Sequence, residues 1–309
     1  MRERAPSKTV PVDARGAAIA LGNFDGVHLG HQAVIASAKA AAETLGAPLG
    51  VAVFEPHPRR FFKPDLAPFR LQTRTQRARA LAALGVEEVY ELGFDQALAQ
   101  STDREFAERV LKDVLGIRHV SIGADFRFGK GRMGDAERLA AYGAELGFTV
   151  EAVAPVGGAN KVSSSAVRDA LARGSMDEAT HLLGRPWAIE GEVLRGFARG
   201  RDFGFPTANV ALGEYVRPRL GIYAVRVDIG DGPWMPGVAS VGVNPTVGAL
   251  PEPLLETHLL DFSGDLYGRK IEVELIAFLR DEAHFSDVEE LKQQMRQDVI
   301  NARRALVGR

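Results

Sequence analysis

The hydrophobic pattern of the chain changes near Arg185, and this change constrains the fold more than any other feature of the sequence. Before Arg185, short apolar runs alternate with stretches of helical periodicity, which indicates parallel strands connected by helices. After it, short alternating runs are separated by Gly and Pro turns, which is typical of an antiparallel barrel. We therefore predict an α/β domain over residues 1–184 and a small β-barrel with a terminal helix over residues 185–309.

The same patterns give approximate bounds for the elements. The predicted strands lie at 17–21, 49–54, 87–92, 119–122 and 148–153 in the first domain, and at 187–194, 207–212, 221–228, 234–241, 254–261 and 271–279 in the second. The predicted helices run from about 32 to 45, 74 to 84, 102 to 115 and 135 to 146. Capping boxes are predicted at Thr102/Glu105 and Ser175/Glu178, and Ser286/Glu289 are predicted to cap the final helix. The first dozen residues are predicted to be a loose polar tail.

Composition narrows the functional classes. With 46% hydrophobic residues in 309, each domain can form an ordinary core, and a net charge of −2 gives no general reason to bind nucleic acid or membranes. The chain has no cysteine, no signal-peptide pattern and no run of about 18 apolar residues that would suggest a membrane span. We expect a cytoplasmic protein, monomeric or weakly homo-oligomeric.

The segment 22–31, GNFDGVHLGH, reads as a loop between the first strand and the first helix. Its glycines permit close backbone approach to a ligand, and the start of the helix offers unpaired N–H groups that suit a polyphosphate. His28 and His31 would add donors near a transferred phosphorus. Two alternatives stay open at this point: a zinc site, which needs a third ligand, and a purely structural turn.

Three further loops follow later strands of the first domain. The segment 54–62 contains two prolines and the aromatic pair Phe61 and Phe62, and the segment 162–168, VSSSAVR, would present hydroxyls and a guanidinium to an anion. The segment 123–134 matches GxGxxG at Gly129, Gly131 and Gly134, but this match is weak because it lies late in the sheet. Its basic residues are plausible phosphate donors or solvated charges.

The barrel domain contains two candidate motifs. The Gly-rich segment 196–209 ends in Pro-Thr-Ala-Asn, and Thr207 and Asn209 supply the hard oxygen ligands that suit Mg²⁺. In the segment 255–262, alternation places Glu256, His258 and Leu260 on one face of a strand and Thr257 and Leu259 on the other. From spacing alone, Glu256 is as well explained by a solvent-facing charge.

Taken in order, these motifs resemble those of bacterial bifunctional riboflavin kinase/FAD synthetases. The histidine loop resembles the HxGH phosphate loop of nucleotidyltransferases, and 125–129, DFRFG, matches a family segment. Residues 163–168 resemble SSTxIR with Ser165 in place of Thr, while 206–209 and 256–262 resemble the PTAN loop and the ExHLLDF strand. The resemblance extends from about residue 17 to residue 303 and implies a Rossmann-like nucleotidyltransferase domain followed by a riboflavin kinase barrel.

The resemblance also implies roles for particular residues. It implies Glu256, His28, His31 and Arg168 as catalytic residues and Thr207 and Asn209 as metal ligands. Flavin contacts are implied for Phe62, Asp125 and Arg127, and ATP contacts for Gly22, Asn23, Phe24, Gly26, Gly30, Ser164, Arg199, Gly200 and Arg201.

The implied function is a bifunctional transferase of flavin biosynthesis. The barrel would phosphorylate riboflavin with ATP to FMN, and the first domain would adenylylate FMN with ATP to FAD and pyrophosphate. Mg²⁺ would accompany ATP, FMN and FAD would be product ligands, and no tightly bound organic cofactor would be needed. A different nucleotidyltransferase and a non-catalytic flavin-binding protein are the alternatives.

Overall fold

The computed structural model describes residues 1–4, 10, 15–158, 160–195, 205–230, 232–243 and 253–308. These residues form two compact units, one made of Met1–Leu66 and Arg74–Ser163, the other of Ala67–Thr73 and Ser164–Arg309. The division of the chain between residues 184 and 185 stays a prediction. None of the helices in the described residues is long and apolar enough to cross a bilayer.

The first unit contains a parallel sheet, as predicted, but the sheet has six strands where five were predicted. Its strands are β1 (Arg2–Arg4), β2 (Ala18–Leu21), β3 (Leu49–Glu55), β4 (Glu88–Gly93), β5 (His119–Gly123) and β6 (Thr149–Val153), in the order β1-β4-β3-β2-β5-β6. The prediction of a loose tail is wrong for Arg2–Arg4, because Arg2 and Arg4 pair with the buried carboxylate of Glu88 on the neighbouring strand.

Helices cover this sheet. They are α1 (Leu29–Leu45), α2 (Pro58–Phe62), α3 (Arg74–Ala83), α4 (Gln96–Gln100), α5 (Asp103–Glu105), which continues as a π-helix over Phe106–Leu115, and α6 (Ala136–Leu146). The capping box at Thr102 and Glu105 is confirmed. α1 begins at Leu29 rather than near Gln32, because the His28 side chain caps it.

Apolar side chains lie on both faces of the sheet. Along β2, Ile19 and Leu21 join one buried cluster, whereas Ala18 and Ala20 join the other. Strands buried on both faces read as continuous apolar runs rather than alternating ones. This is why the strands of the first half were recognisable as short, uninterrupted hydrophobic segments.

The second unit contains the predicted antiparallel barrel. Its elements are α7 (Ser164–Arg173), α8 (Met176–Leu183), β7 (Trp187–Glu192), β8 (Ala208–Ala211), β9 (Gly221–Asp228), β10 (Met235–Val243), β11 (Pro253–Leu259), β12 (Lys270–Arg280) and α9 (Val288–Leu306). The strand order is β7-β12-β9-β10-β11-β8. A hydrogen bond from Leu194 N to Asn209 O, 2.8 Å long, links the two ends of this order and nearly closes the barrel.

Two predicted caps are wrong. Ser175 precedes α8, but its side chain makes no capping hydrogen bond. At α9 the cap is Asp287, whose carboxylate accepts from Glu290 N at 2.8 Å, while Ser286 lies one residue outside and its hydroxyl donates to the Glu290 carboxylate. α9 packs against β9, β10 and β12, as expected for the final helix, and Arg280 on β12 holds it through two hydrogen bonds to Asp298.

Candidate active sites

The predicted loops of the first unit meet at one edge of the parallel sheet. The segments 22–28, 56–62 and 124–134 follow β2, β3 and β5, and the segment that leads to the serines follows β6. The strand order runs from β2 toward β3 and β4 on one side and toward β5 and β6 on the other. The carboxyl ends of β2 and β5 therefore lie at the topological switch point, where open α/β sheets bind ligands.

The histidine loop has an unusual backbone. Phe24, Gly26 and Val27 have positive φ values of 50°, 92° and 42°. Left-handed Phe and Val residues are strained and persist only where the surroundings hold them, and both side chains here are almost fully buried. The loop is therefore a fixed part of the fold that delivers the next residue, His28, to the start of α1.

His28 and His31 form a stacked pair at this helix start. His28 Nδ1 accepts a hydrogen bond from His31 N at 3.2 Å, and the ring centroids lie 3.6 Å apart with an angle of 17° between the ring planes. Because Nδ1 is an acceptor, the proton of a neutral His28 ring is on Nε2. The pair is thus oriented by the cap itself, which explains why the histidines stand three residues apart.

Gly30 separates the two histidines for a steric reason. A Cβ at this position would lie 3.1 Å from His28 Cε1 and 3.2 Å from Val162 O. Gly22 is similarly close to the Phe24 ring, at 3.3 Å. These glycines, predicted to contact ATP, are also needed for the packing of the loop.

An aromatic cluster follows β3. Phe61, Phe62 and Phe94 meet edge to face with centroid distances of 5.2 to 5.7 Å, and Phe62 is 64% exposed. An exposed ring held by two neighbours can stack against a planar ligand. The flavin contact of Phe62 stays a prediction.

The loop after β5 carries Asp125 and Arg127. Asp125 forms a short ion pair with Lys161, which holds the pKa of the Asp125 carboxyl below its usual value, and Arg127 Nη1 donates to Phe126 O at 3.1 Å. The sequence analysis did not identify Lys161, although a lysine two residues before three serines was a visible signal. Contacts of Asp125 and Arg127 with flavin stay predictions.

The GxGxxG match has a structural explanation. A Cβ at Gly129 would lie 2.5 Å from Asp103 N, and one at Gly134 would lie 2.8 Å from Asp103 Cβ. Asp103 in turn accepts a hydrogen bond from the Tyr142 hydroxyl, and its carboxylate lies 3.1 Å from Arg138 Nε. The glycines let the loop dock against the first turn of α5, so they hold the loop that bears Asp125 and Arg127.

Ser164 and Arg168 lie on α7 in the second unit. Arg168 Nε donates to Phe69 O at 2.7 Å, and its guanidinium lies 5.6 Å from the centroid of the Phe69 ring. Both contacts fix the direction of the side chain. The contacts of Ser164 and Arg168 with phosphate stay predictions.

In the barrel, Glu256 lies in a row of polar residues across three strands. It pairs with Asn209 on β8 and with Ser240 on β10. Leu255, Thr257 and Leu259 are buried while Glu256 and His258 are half-buried, which confirms the predicted alternation within β11. Leu260, predicted to share the face of Glu256, is instead buried and lies just beyond the strand. Side chains directly opposite on neighbouring strands share a face, so Ser240, Glu256 and Asn209 lie side by side on the outer face of the barrel.

This face borders a cavity of about 280 Å³ beside α9. The cavity is lined by Phe205, Thr207, Ile222, Val238, Ser240, Glu256, His258, Arg280, Glu282, Ala283, Phe285, Leu291, Met295, Asp298 and Val299. A second cavity, of about 310 Å³, is lined by Val193, Pro206, Thr207, Ala208, Leu259, Phe262, Ser263, Gly264, Asp265, Leu266 and Tyr267. Thr207 lines both cavities.

His258 fixes the chain just before Thr207. Its Nδ1 lies 2.9 Å from Pro206 O, to which it donates, and its ring meets Phe205 edge to face at 5.2 Å. The sequence placed His258 beside Glu256 without giving it a role. Arg199, Gly200 and Arg201, predicted to contact ATP, lie outside the described residues.

The residues present fit a magnesium ion delivered with ATP. Thr207 and Asn209 offer oxygen donors two residues apart on the same face as Glu256. Among the described residues, no group of three or more His, Asp or Glu side chains is placed to hold a metal ion. Water and phosphate oxygens would therefore complete the coordination, as is usual for magnesium.

Comparison with known proteins decides the family. The FAD synthetase family matches residues 10–166, and the riboflavin kinase family matches residues 183–306. The bifunctional riboflavin kinase/FMN adenylyltransferase of Pseudomonas fluorescens is 47% identical over 290 residues, which cover 94% of this chain and 93% of that protein. The protein of the same description from Escherichia coli K12 is 42% identical, covering 93% of this chain and 92% of that protein.

The chain belongs to the bifunctional riboflavin kinase/FMN adenylyltransferase family. It is a transferase with an FAD synthetase domain and a riboflavin kinase domain, it acts in flavin cofactor biosynthesis, and these domains imply riboflavin, FMN and ATP as substrates. A crystal structure described as a macrolide-efflux protein from Streptococcus pneumoniae is similar in fold, with a TM-score of 0.84 and 33% identity over 94% of both chains. A solved structure therefore shares this fold over almost the whole chain.

Proposed function

We propose that riboflavin binds in the 280 Å³ cavity and is phosphorylated there with Glu256 as general base. The observation that supports this proposal is the carboxylate of Glu256 on the wall of a cavity that combines apolar side chains with polar ones. Ile222, Val238 and Met295 would face the isoalloxazine ring, and Glu256 would accept the proton of the 5′-hydroxyl as that oxygen attacks the γ-phosphorus of ATP.

In this proposal ATP occupies the adjacent 310 Å³ cavity, with its terminal phosphates near Thr207. Thr207 and Asn209 would hold Mg²⁺, which would neutralise charge on the phosphates when bound. Arg199, Gly200 and Arg201 supply further phosphate contacts. His258 is a positioning residue, because its hydrogen bond to Pro206 O fixes the chain that carries Thr207.

We propose that FMN adenylylation takes place at the carboxyl edge of the parallel sheet. An oxygen of the FMN phosphate attacks the α-phosphorus of ATP, and the bond to the pyrophosphate oxygen breaks. A phosphate is already a nucleophile, so this step needs positioning and charge stabilisation rather than a base. His28 and His31 stabilise the developing charge, and the backbone of the loop from Gly22 to Gly30, with Asn23, Phe24 and Gly26, contacts ATP.

The flavin and phosphate contacts of this second reaction are assigned as follows. Phe62 stacks on the flavin ring, Asp125 and Arg127 order the flavin-binding loop, and Ser164 and Arg168 contact phosphate. The enzyme acts as a monomer or weak homo-oligomer in the cytoplasm, with Mg²⁺ as the metal.

Two substitutions test the assignment. His31→Ala removes a group that acts on transition-state charge, so FAD formation from FMN should fall by about a hundredfold while FMN formation from riboflavin is retained. Glu256→Gln should abolish most kinase turnover while supplied FMN is still converted to FAD. In each variant, the activity that is expected to be retained shows that the protein is still functional. Equal loss of both activities in either variant would refute the separation of sites.

A further inference from the structure

The cavity beside Glu256 contains a second carboxylate with no assigned role. Glu282, just beyond β12, lines this cavity and makes no hydrogen bond or ion pair within the described part of the chain. The other carboxylate of the lining besides Glu256, Asp298, is instead bound at both oxygens by Arg280. Glu282 is thus an acceptor available to a ligand in the cavity.

The carboxylate of Glu282 rests on Gly242 of β10. A Cβ at Gly242 would collide with Glu282 Oε1, and the same position lies 3.7 Å from Ser240 Oγ. Ser240 is directly opposite Glu256 in the ladder between β10 and β11. The three oxygen-bearing side chains therefore follow one another in the order Glu256, Ser240, Glu282 along the wall of the cavity.

This row matches the chemistry of a polyol chain. Opposite residues lie about 5 Å apart and residues two apart on a strand about 7 Å apart, so the row from Glu256 to Gly242 is about 12 Å long. An extended five-carbon chain of about 6 Å, with a hydrogen bond of about 3 Å at each end, spans a comparable distance. With the 5′-hydroxyl at Glu256, the internal hydroxyls of such a chain would pass Ser240 and reach Glu282. Hydroxyls are donors, and the row offers them acceptors.

We propose that Ser240 and Glu282 bind the internal hydroxyls of the ribityl chain and make the kinase specific for a polyhydroxylated flavin side chain. This inference rests on the proposed binding of riboflavin beside Glu256. Gly242 is part of this binding site, because the absence of a side chain there lets the Glu282 carboxylate approach β10.

The test compares two substrates in the full-length enzyme: riboflavin and the flavin analogue with a plain hydroxypentyl side chain, which keeps the terminal hydroxyl and lacks the internal ones. For Glu282→Ala, kcat/KM for riboflavin should fall by about 10- to 100-fold, because a hydrogen bond to a charged group is lost, while kcat/KM for the analogue stays the same. Ser240→Ala should show the same selective loss at smaller size, and Glu282→Gln, which keeps an acceptor oxygen, should lie between wild type and Glu282→Ala.

Gly242→Ala provides an independent arm, since it displaces the carboxylate without removing it and should reproduce the selectivity of Glu282→Ala. Glu289→Ala, an exposed glutamate on α9 that does not line the cavity, is the matched control and should behave as wild type. Conversion of supplied FMN to FAD reports that the first unit of each variant is folded, and turnover of the analogue reports that the barrel is folded. Equal loss with both substrates, or no loss in Glu282→Ala, would overturn the proposal, whereas a wild-type enzyme that phosphorylates neither flavin would overturn the proposed function instead.

Discussion

Replacing Gly30 by Ala should separate stability from activity in the first unit. Ala is favoured over Gly inside a helix by about 0.5–1 kcal/mol, so α1 itself gains stability. The new Cβ would lie 3.1 Å from His28 Cε1 and 3.2 Å from Val162 O, both shorter than ordinary contacts. His28 caps the helix and stacks on His31, so it must shift by a few tenths of an ångström, and we expect FAD formation to fall by about tenfold.

The other end of α1 supplies the matched control. Gly46 has a φ of 57°, and a Cβ there would meet nothing within 4 Å. Gly46→Ala should cost about 1 kcal/mol through left-handed strain and lower Tm by about 2–4 °C, with FAD formation unchanged. FAD formation from FMN and ATP, followed by chromatography, and thermal unfolding are measured for both variants. Wild-type turnover in Gly30→Ala, or an equal loss of turnover in Gly46→Ala, would refute the reasoning.

Three other changes have distinct expected outcomes. Gly134→Ala brings a Cβ within 2.7 Å of the Phe128 ring and should raise KM for FMN several-fold in adenylylation. Gly131→Ala, with its nearest neighbour 3.8 Å away, should change only stability. Similar KM values in the two variants would contradict the docking role of the glycines in this loop. His258→Phe keeps an aromatic ring but loses the hydrogen bond to Pro206 O, so kinase kcat should fall by about tenfold with adenylylation intact, and an unchanged kcat would exclude the positioning role. Burial lowers the pKa of His119 from 6.5, so the unfolded state takes up a proton that the folded state resists, and the free energy of unfolding should drop as pH falls below that value. Urea unfolding between about pH 7.5 and about pH 5.5 should show a smaller drop for His119→Gln than for wild type, and identical drops would rule out this contribution.

The two-part architecture could be predicted because the spacing of apolar residues along a segment reports whether that segment is a helix, a strand buried on one face or a strand buried on both faces. A continuous apolar run such as β2 indicates a strand that is buried on both faces. An alternating run such as β11 indicates a strand that is buried on one face. Pairing of Arg2 and Arg4 with Glu88 was not visible, since it joins residues more than 80 positions apart. The prediction of a Ser286 cap failed for a local reason: neighbouring Ser and Asp residues can each cap a helix, and only geometry selects Asp287 over Ser286.

The candidate sites were predictable to a different degree. The glycine-rich loop pattern indicated His28 and His31, whereas Glu256 was indicated only by the resemblance to family motifs. In the structure the histidines lie at a helix cap and Glu256 lies on a cavity wall. The roles of Asp103 and Glu282 depend on where a glycine lets another segment approach, at Gly134 and Gly242. Such contacts join distant parts of the chain and have no signature in the local pattern.

The most direct test is a time course with the purified enzyme, riboflavin, ATP and Mg²⁺, in which riboflavin, FMN and FAD are separated by chromatography. The account predicts that FMN appears first and that FAD follows at its expense. FMN without FAD would contradict the adenylylation site assigned to the histidine loop, and the absence of both products from a folded enzyme would contradict the account as a whole.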